Sequence, residues 1–154
     1  MDALTTALAL LSRRELSTKQ LRDRLARRQF EPTEIDEVIR RLTRDGTLDD
    51  RRVALASARL EGAIRQRGRR RVLRQVQQLG IGAVTAKAAV DEVFGELDES
   101  ALLEHALERR LKGADPRSLD RKATARIVRS LVGQGFAPGQ VYARLRKKSA
   151  EGDE

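Results

Sequence analysis

The sequence predicts an all-α protein made of three tandem three-helix repeats in an elongated, curved arrangement. Three observations carry that prediction. Apolar residues recur at helical spacing almost throughout, with no convincing strand. One apolar pattern occurs three times: Leu21, Leu25, Phe30, Ile35 and Ile39, then Val72, Val76, Ile81, Ala86 and Val90, then Ile127, Leu131, Phe136, Val141 and Leu145. The copies are offset by 51 and then 55 residues, a period typical of stacked helical modules that present a long surface to a partner. Finally, each copy sits beside an arginine-rich face. A module of about fifty residues has little core of its own, so neighbouring repeats are expected to touch.

In the first repeat (1–48), Leu4, Leu8 and Leu11 form a stripe on one helix, and a break comes near Leu16. Ser17 with Gln20 reads as a capping box for a second helix running to about Gln29, with Leu21 and Leu25 inward. Pro32 suits the first turn of a third helix, whose face is Ile35, Val38, Ile39 and Leu42, and Gly46 is its left-handed cap. The second repeat (49–97) opens at Leu48-Asp49-Asp50, with Asp49 as helix cap. Val53, Ala56, Leu60 and Ile64 line its first helix, Gly68 breaks it, and Val72, Val76 and Leu79 belong to the next. Gly80-Ile81-Gly82 makes a turn before a helix from Val84 to Phe94. In the third repeat (98–148), Leu102, Ala106 and Leu107 face inward and Gly113 to Pro116 is a loop. Next come a helix from Leu119 to Val132, a turn at Gly135-Phe136 and a last helix opened by Pro138. Residues 149–154 read as a polar tail.

Charge narrows the function. The 154 residues carry 32 Lys and Arg against 23 Asp and Glu, a formal charge of +9 with a pI near 10.9. That balance attracts polyanions, whether nucleic acid or an acidic protein surface. The densest cluster is IRQRGRRRVLRQ, where Arg65, Arg67, Arg69, Arg70, Arg71 and Arg74 fall within ten residues. Glu61 is the one acid nearby in sequence, so the cluster is poorly neutralised and reads as a partner-binding surface. Arg121, Lys122 and Arg126 extend it in the third repeat. The rings are few: Phe30, Phe94 and Phe136 fall at core positions and Tyr142 alone remains. Stacking of nucleic-acid bases on aromatic side chains is therefore not the expected mode, and guanidinium contact to phosphate or carboxylate is.

Catalysis finds no support. The single histidine, His105, sits between leucines of a helix and reads as a surface or boundary residue. There is no cysteine, nucleophile motif, phosphate loop or dinucleotide fingerprint. Asp49-Asp50 imitates a metal pair, but helix capping explains it more simply. No catalytic residue, metal or cofactor is expected. The N-terminus lacks the features of a secretory signal and no apolar run approaches the ~20 residues needed to span a bilayer, so a cytoplasmic protein is expected.

The run GTLDDRRVALASARLEGAIRQRGRRRVLRQVQQLGI resembles the central signature of the RecX family, regulators of the bacterial RecA recombinase. The resemblance is carried by Leu48, Asp49, Asp50, Ala54, Arg67, Gly68, Arg71, Val72, Gly80 and Ile81. ALALLSRRELSTKQLRDRL is similar to that family's first repeat and DRKATARIVRSLVGQGF to its third. The resemblance implies a non-catalytic modulator lying in the helical groove of the RecA–DNA filament, where it reduces ATP hydrolysis and strand exchange or blocks filament growth. The partners so implied are the RecA filament and, through weak and largely sequence-independent contacts, DNA; no membrane partner is expected, and since nothing in the sequence demands a dimer a monomer is expected. An alternative is an autonomous DNA-binding regulator of helix-turn-helix type, suggested by LSTKQLRDRLARRQF and by Gly68 to Ile81. A scaffold for another acidic protein is a third reading.

Overall fold

The computed structural model describes residues 1–152, which hold nine α-helices and no strand. They fall into three successive triads: α1 (Ala3–Arg13), α2 (Thr18–Arg27) and α3 (Pro32–Arg44); α4 (Asp50–Arg59), α5 (Arg69–Gln78) and α6 (Ala83–Glu96); α7 (Glu99–Leu111), α8 (Arg121–Gly133) and α9 (Pro138–Glu151). A π turn over Leu60–Ile64 prolongs α4, and a 3-10 turn over Pro116–Ser118 precedes α8.

The starts of the helices are written in short polar residues. Ser17 and Gln20 form the reciprocal capping box of α2. The side chains of Asp49, Asp98 and Asp120 accept the backbone N–H groups of Arg52, Ala101 and Ala123, satisfying amides that no helical carbonyl can reach. Pro32 and Pro138 open α3 and α9, where their fixed φ suits the first turn. Gly46 ends α3 in the left-handed region at φ 81°.

Two inward faces differ from those expected of the sequence. In α1 the buried residues are Ala3, Thr6, Ala7 and Leu10, while Leu4 and Leu11 flank them and Leu8 is exposed. In α4 the buried stripe is Val53, Ala54 and Ala58, continued by Glu61 and Gly62, and Ala56, Leu60 and Ile64 face solvent. The reason is close approach. Ala54, Ala58 and Gly62 recur every fourth residue and let α4 lie tightly on α6; a Cβ on Gly62 would meet Leu97 Cδ1 at 3.1 Å and Phe94 Cε2 at 3.4 Å. Small residues that favour interhelical contact outcompete larger ones for the inward face. The other boundaries shift by a turn or less: α2 stops at Arg27, α8 begins at Arg121, and α9 continues through Glu151, so residues 149–151 are helical. Residues 153 and 154 of the expected tail lie outside the described residues.

The core is divided unequally. Helices α1–α3 bury one apolar cluster around Leu16, Leu21, Leu25, Leu42 and Leu48. Helices α4–α9 share a second, continuous from Val53 to Leu145, with Phe136, Leu107, Leu131, Val72 and Val76 fully enclosed.

Successive triads meet at a joint that is built twice to one plan. At the first joint the Ser17 hydroxyl donates to the Leu79 carbonyl and the Thr18 N–H donates to Asp50 Oδ1 at 2.7 Å. At the second the Gly68 N–H donates to the Gln134 carbonyl at 2.8 Å and the Arg69 N–H donates to Glu99 Oε1 at 3.3 Å. Ser17 and Gly68 are the N-caps of α2 and α5, Leu79 and Gln134 the C-caps of α5 and α8, and Asp50 and Glu99 the first residues of α4 and α7. The second joint is tighter. A Cβ on Gly68 would lie 2.4 Å from the Gly135 carbonyl carbon, and one on Gly135, at φ 107°, 2.4 Å from the Gly68 oxygen. Backbone meets backbone there, and only glycine fits on either side.

Candidate interaction surface

The six arginines between Ile64 and Gln75 do not form one free cluster. Gly68 and the π turn splay them over different surroundings. Arg65 pairs with Glu61 across one turn, Nη1 to Oε1 at 2.7 Å. Arg69 pairs with Asp91 of α6 and lies over the Phe94 ring, 5.8 Å from its centroid, a cation–π arrangement. Arg71 packs its stem against Gly135 and directs Nη1 toward the Gly133 carbonyl at 3.4 Å. Arg67 is half-buried, its backbone N–H donating to the Glu61 carbonyl and its Nε enclosed. The acid that the sequence neighbourhood lacks comes from elsewhere: Asp91 of α6, distant along the chain and close in space, pairs with the Arg69 guanidinium. Arg70 and Arg74 alone of the six stay exposed with no side-chain hydrogen bond or ion pair among the described residues.

Glu61 is the unexpected member. It is 6 % exposed, the π turn carries it to the inward side of the helix, and its Oε2 has no hydrogen-bond partner. A π turn places one extra residue in the helical ring and so rotates the residues after it. Nothing in the sequence marks that insertion, and an unbroken 3.6-residue count misplaces Ile64, which is 74 % exposed.

On α8, one triad onward, Arg121, Lys122 and Arg126 are exposed and their side chains have no partner among the described residues. Arg126 holds the position of Arg71 in the repeat, and Arg129 that of Arg74. The second helices of adjacent triads thus carry cations without an internal partner, α5 through Arg70 and Arg74 and α8 through Arg121, Lys122 and Arg126. On α2 the positions of Arg70 and Arg74 hold Lys19 and Asp23, which pair at 3.1 Å, and Arg22 pairs with Asp36, while Arg24 and Arg27 farther along the helix also lack a partner among the described residues. His105 is exposed on α7. Among the described residues no three His, Asp or Glu side chains gather in a metal-holding arrangement, and no helix is long and apolar enough to cross a membrane.

Ion pairs outside this surface tie helices together. Arg52 joins the first two triads, with Nε donating to Glu15 Oε1 at 2.6 Å and its other nitrogens to the Gly46 and Thr47 carbonyls at 2.9 and 3.0 Å. Glu104 of α7 takes Lys148 and, at 3.6 Å, Arg144 from α9. The Lys148 hydrogen bond holds the Glu104 carboxyl below its usual value of 4.5, and Glu104 in turn raises the Lys148 ammonium above 10.5. Hydrogen bonds from the residues they cap likewise lower Asp2 (from Thr5), Asp45 (from Thr47) and Asp115 (from Arg117).

Comparison with known proteins agrees with this architecture. A family model described as RecX, first three-helix domain, matches residues 3–42, the span of α1 to α3. The chain is 32 % identical over 139 residues to "Regulatory protein RecX" of Trichlorobacter lovleyi, covering 88 % of each chain. It is 34 % identical over 152 residues to the protein of that name from Thermus thermophilus, covering 99 % of this chain and 96 % of the other. The crystal structure of RecX from Lactobacillus salivarius superposes with a TM-score of 0.78 at 20 % identity, covering 96 % of this chain and 94 % of that one. With repeated helix triads, a twice-used joint and relatives matched nearly end to end, the chain belongs to the RecX family of regulatory proteins.

Proposed function

We propose that the protein modulates the RecA recombinase without chemistry of its own, binding in the groove of the RecA–DNA filament and reducing ATP hydrolysis and strand exchange. The observation that supports this most is the placement of unpaired cations on α5 and α8, while on α2 the positions of Arg70 and Arg74 hold the paired Lys19 and Asp23. Cations left unpaired by the fold are available to an anionic partner without first breaking internal ion pairs. Two neighbouring triads held at a fixed spacing suit a partner that is itself periodic, and several weak contacts then add through effective concentration. Phosphate contacts made this way carry no sequence preference. The protein acts as a cytoplasmic monomer in this reading.

The test is titration into RecA on single-stranded DNA. ATP hydrolysis and strand exchange should fall as protein is added. Arg70→Ala, Arg74→Ala and Arg126→Ala combined should abolish most of the inhibition while leaving helical content intact, because none of the three side chains has an internal partner. Full hydrolysis and exchange at saturating protein would reject the reading. Strong preference for one duplex over random duplex at physiological salt would replace it with a helix-turn-helix DNA regulator.

A further inference from the structure

Where α7 ends and α8 passes beneath it, a groove of about 360 Å³ opens on the third triad. Its floor is aliphatic: Leu119, Ala123 and Ile127, each half-buried, with Leu119 and Ile127 packed on the shared core. Its rim is cationic: Arg110 and Lys112 from the end of α7 and Arg126 from α8. None of these three side chains has a hydrogen-bond or ion-pair partner among the described residues, although acids stand nearby in the chain. The acids are committed elsewhere. Asp115 is bound to Arg117, Asp120 caps α8 through the Ala123 N–H, and Glu108 faces Lys148 at 3.9 Å. Lys112 also sits in the left-handed region at φ 52°, a conformation that favours glycine, and it lines the lip of the groove.

We propose that this groove is a docking site for an acidic peptide segment of a protein partner, one that carries an aliphatic anchor between its carboxylates. The chemistry selects that occupant. Three cations around a concave surface match carboxylates spaced along a strand or helix, and arginine binds carboxylate through paired N–H donors. The floor then decides between anionic chains. A single-stranded nucleic acid gains its grip from aromatic rings under the bases, and no ring lines this groove. A leucine or valine side chain, by contrast, is matched in size and polarity by Leu119, Ala123 and Ile127. The site rests on the proposed function and deepens it, by naming a protein chemistry for the α8 end of the surface; Arg126 belongs to both.

The experiment uses the full chain and no recombinase, so its failure and that of the filament reading are separable. A fluorescein-labelled synthetic peptide of alternating glutamate and leucine-containing steps is titrated and followed by anisotropy, beside oligoglutamate of equal length and oligothymidylate. The leucine-bearing peptide should bind tighter than oligoglutamate. Arg110→Glu with Lys112→Glu should weaken it by about tenfold or more, while Arg13→Glu with Arg14→Glu, a change of the same charge far along the chain, should leave it within about twofold. Circular dichroism checks that both doubles stay folded. Equal binding of oligoglutamate, binding unaffected by the groove double, or tighter binding of oligothymidylate that the groove double abolishes would each overturn the proposal.

Discussion

The joint between the first and second triads and the joint between the second and third share a hydrogen-bond plan and differ in everything beneath it. At the first, two hydrogen bonds and the Arg52 bridge link helices whose apolar clusters remain separate. At the second, a pair of bonds from the equivalent positions, with the Gly68 backbone N–H donating where the Ser17 hydroxyl does, lies over one continuous core, and two glycines bring the backbones into contact. A hydrogen bond contributes about 1 kcal/mol net and an exposed ion pair less, whereas buried apolar area contributes about 25 cal/mol per Å² and accumulates over a whole core. One repeat motif therefore yields two kinds of connection, according to whether the residues around it are apolar. Helices α4–α9 are expected to open as one cooperative unit, and α1–α3 at lower free energy, which native-state hydrogen exchange resolves.

Phe136→Ala probes the shared core most severely. The ring is fully enclosed, and its removal should cost about 3–5 kcal/mol, with both the second and third triads losing exchange protection together. Gly135→Ala should come next at about 3 kcal/mol, since the residue must hold φ 107° and its new methyl has no space beside Gly68. Chemical denaturation measures both, and a loss confined to α7–α9 in either case would show that the second joint is no firmer than the first. Ser17→Ala removes a helix cap and the donor to Leu79 at once. About 2 kcal/mol is expected, with protection lost chiefly in α1–α3. Phe30→Ala is the counterpart of the first substitution but should cost only about 1–2 kcal/mol, because Phe30 is half-buried where Phe136 is enclosed.

The smallest effect is one of pH. Glu104 has a lowered pKa in the folded chain, so its contribution is complete above the unfolded value and is lost as pH falls through the folded one. Lys148, raised above 10.5, contributes fully below that value and loses its share as pH rises through the elevated one. Glu104→Gln should therefore flatten the acid limb of the thermal-stability profile below about pH 4.5 while leaving the first triad unaltered.

How far the sequence discloses this architecture depends on the range of the interaction. Caps and helix starts are local, so Ser17, Asp49, Pro32 and Pro138 announce themselves in a few residues. The repeat is legible because its apolar positions recur in register. The joints are not, since Ser17 and its partner Leu79 stand 62 residues apart. One signal of them does exist: Leu48-Asp49-Asp50 returns as Leu97-Asp98-Glu99, and in each the second acid serves the joint. The inward turn of Ala54, Ala58 and Gly62 escapes a reading that ranks residues by hydrophobicity, because close approach rewards smallness. The neutralisation of Arg69 escapes it too, because Asp91 arrives from another helix.

Gln29 occupies the turn that Gly80 and Gly135 occupy in the later triads, and at φ 64° it shares their left-handed backbone while lying exposed. At those glycines a methyl group would strike the preceding triad at 2.4 to 2.5 Å. The Gln29 side chain therefore stands where the two joints seen in the chain admit no Cβ, and a triad stacked on that turn in the same register would have to displace it. Head-to-tail contacts of this type can propagate into open fibres, and this one side chain works against such propagation.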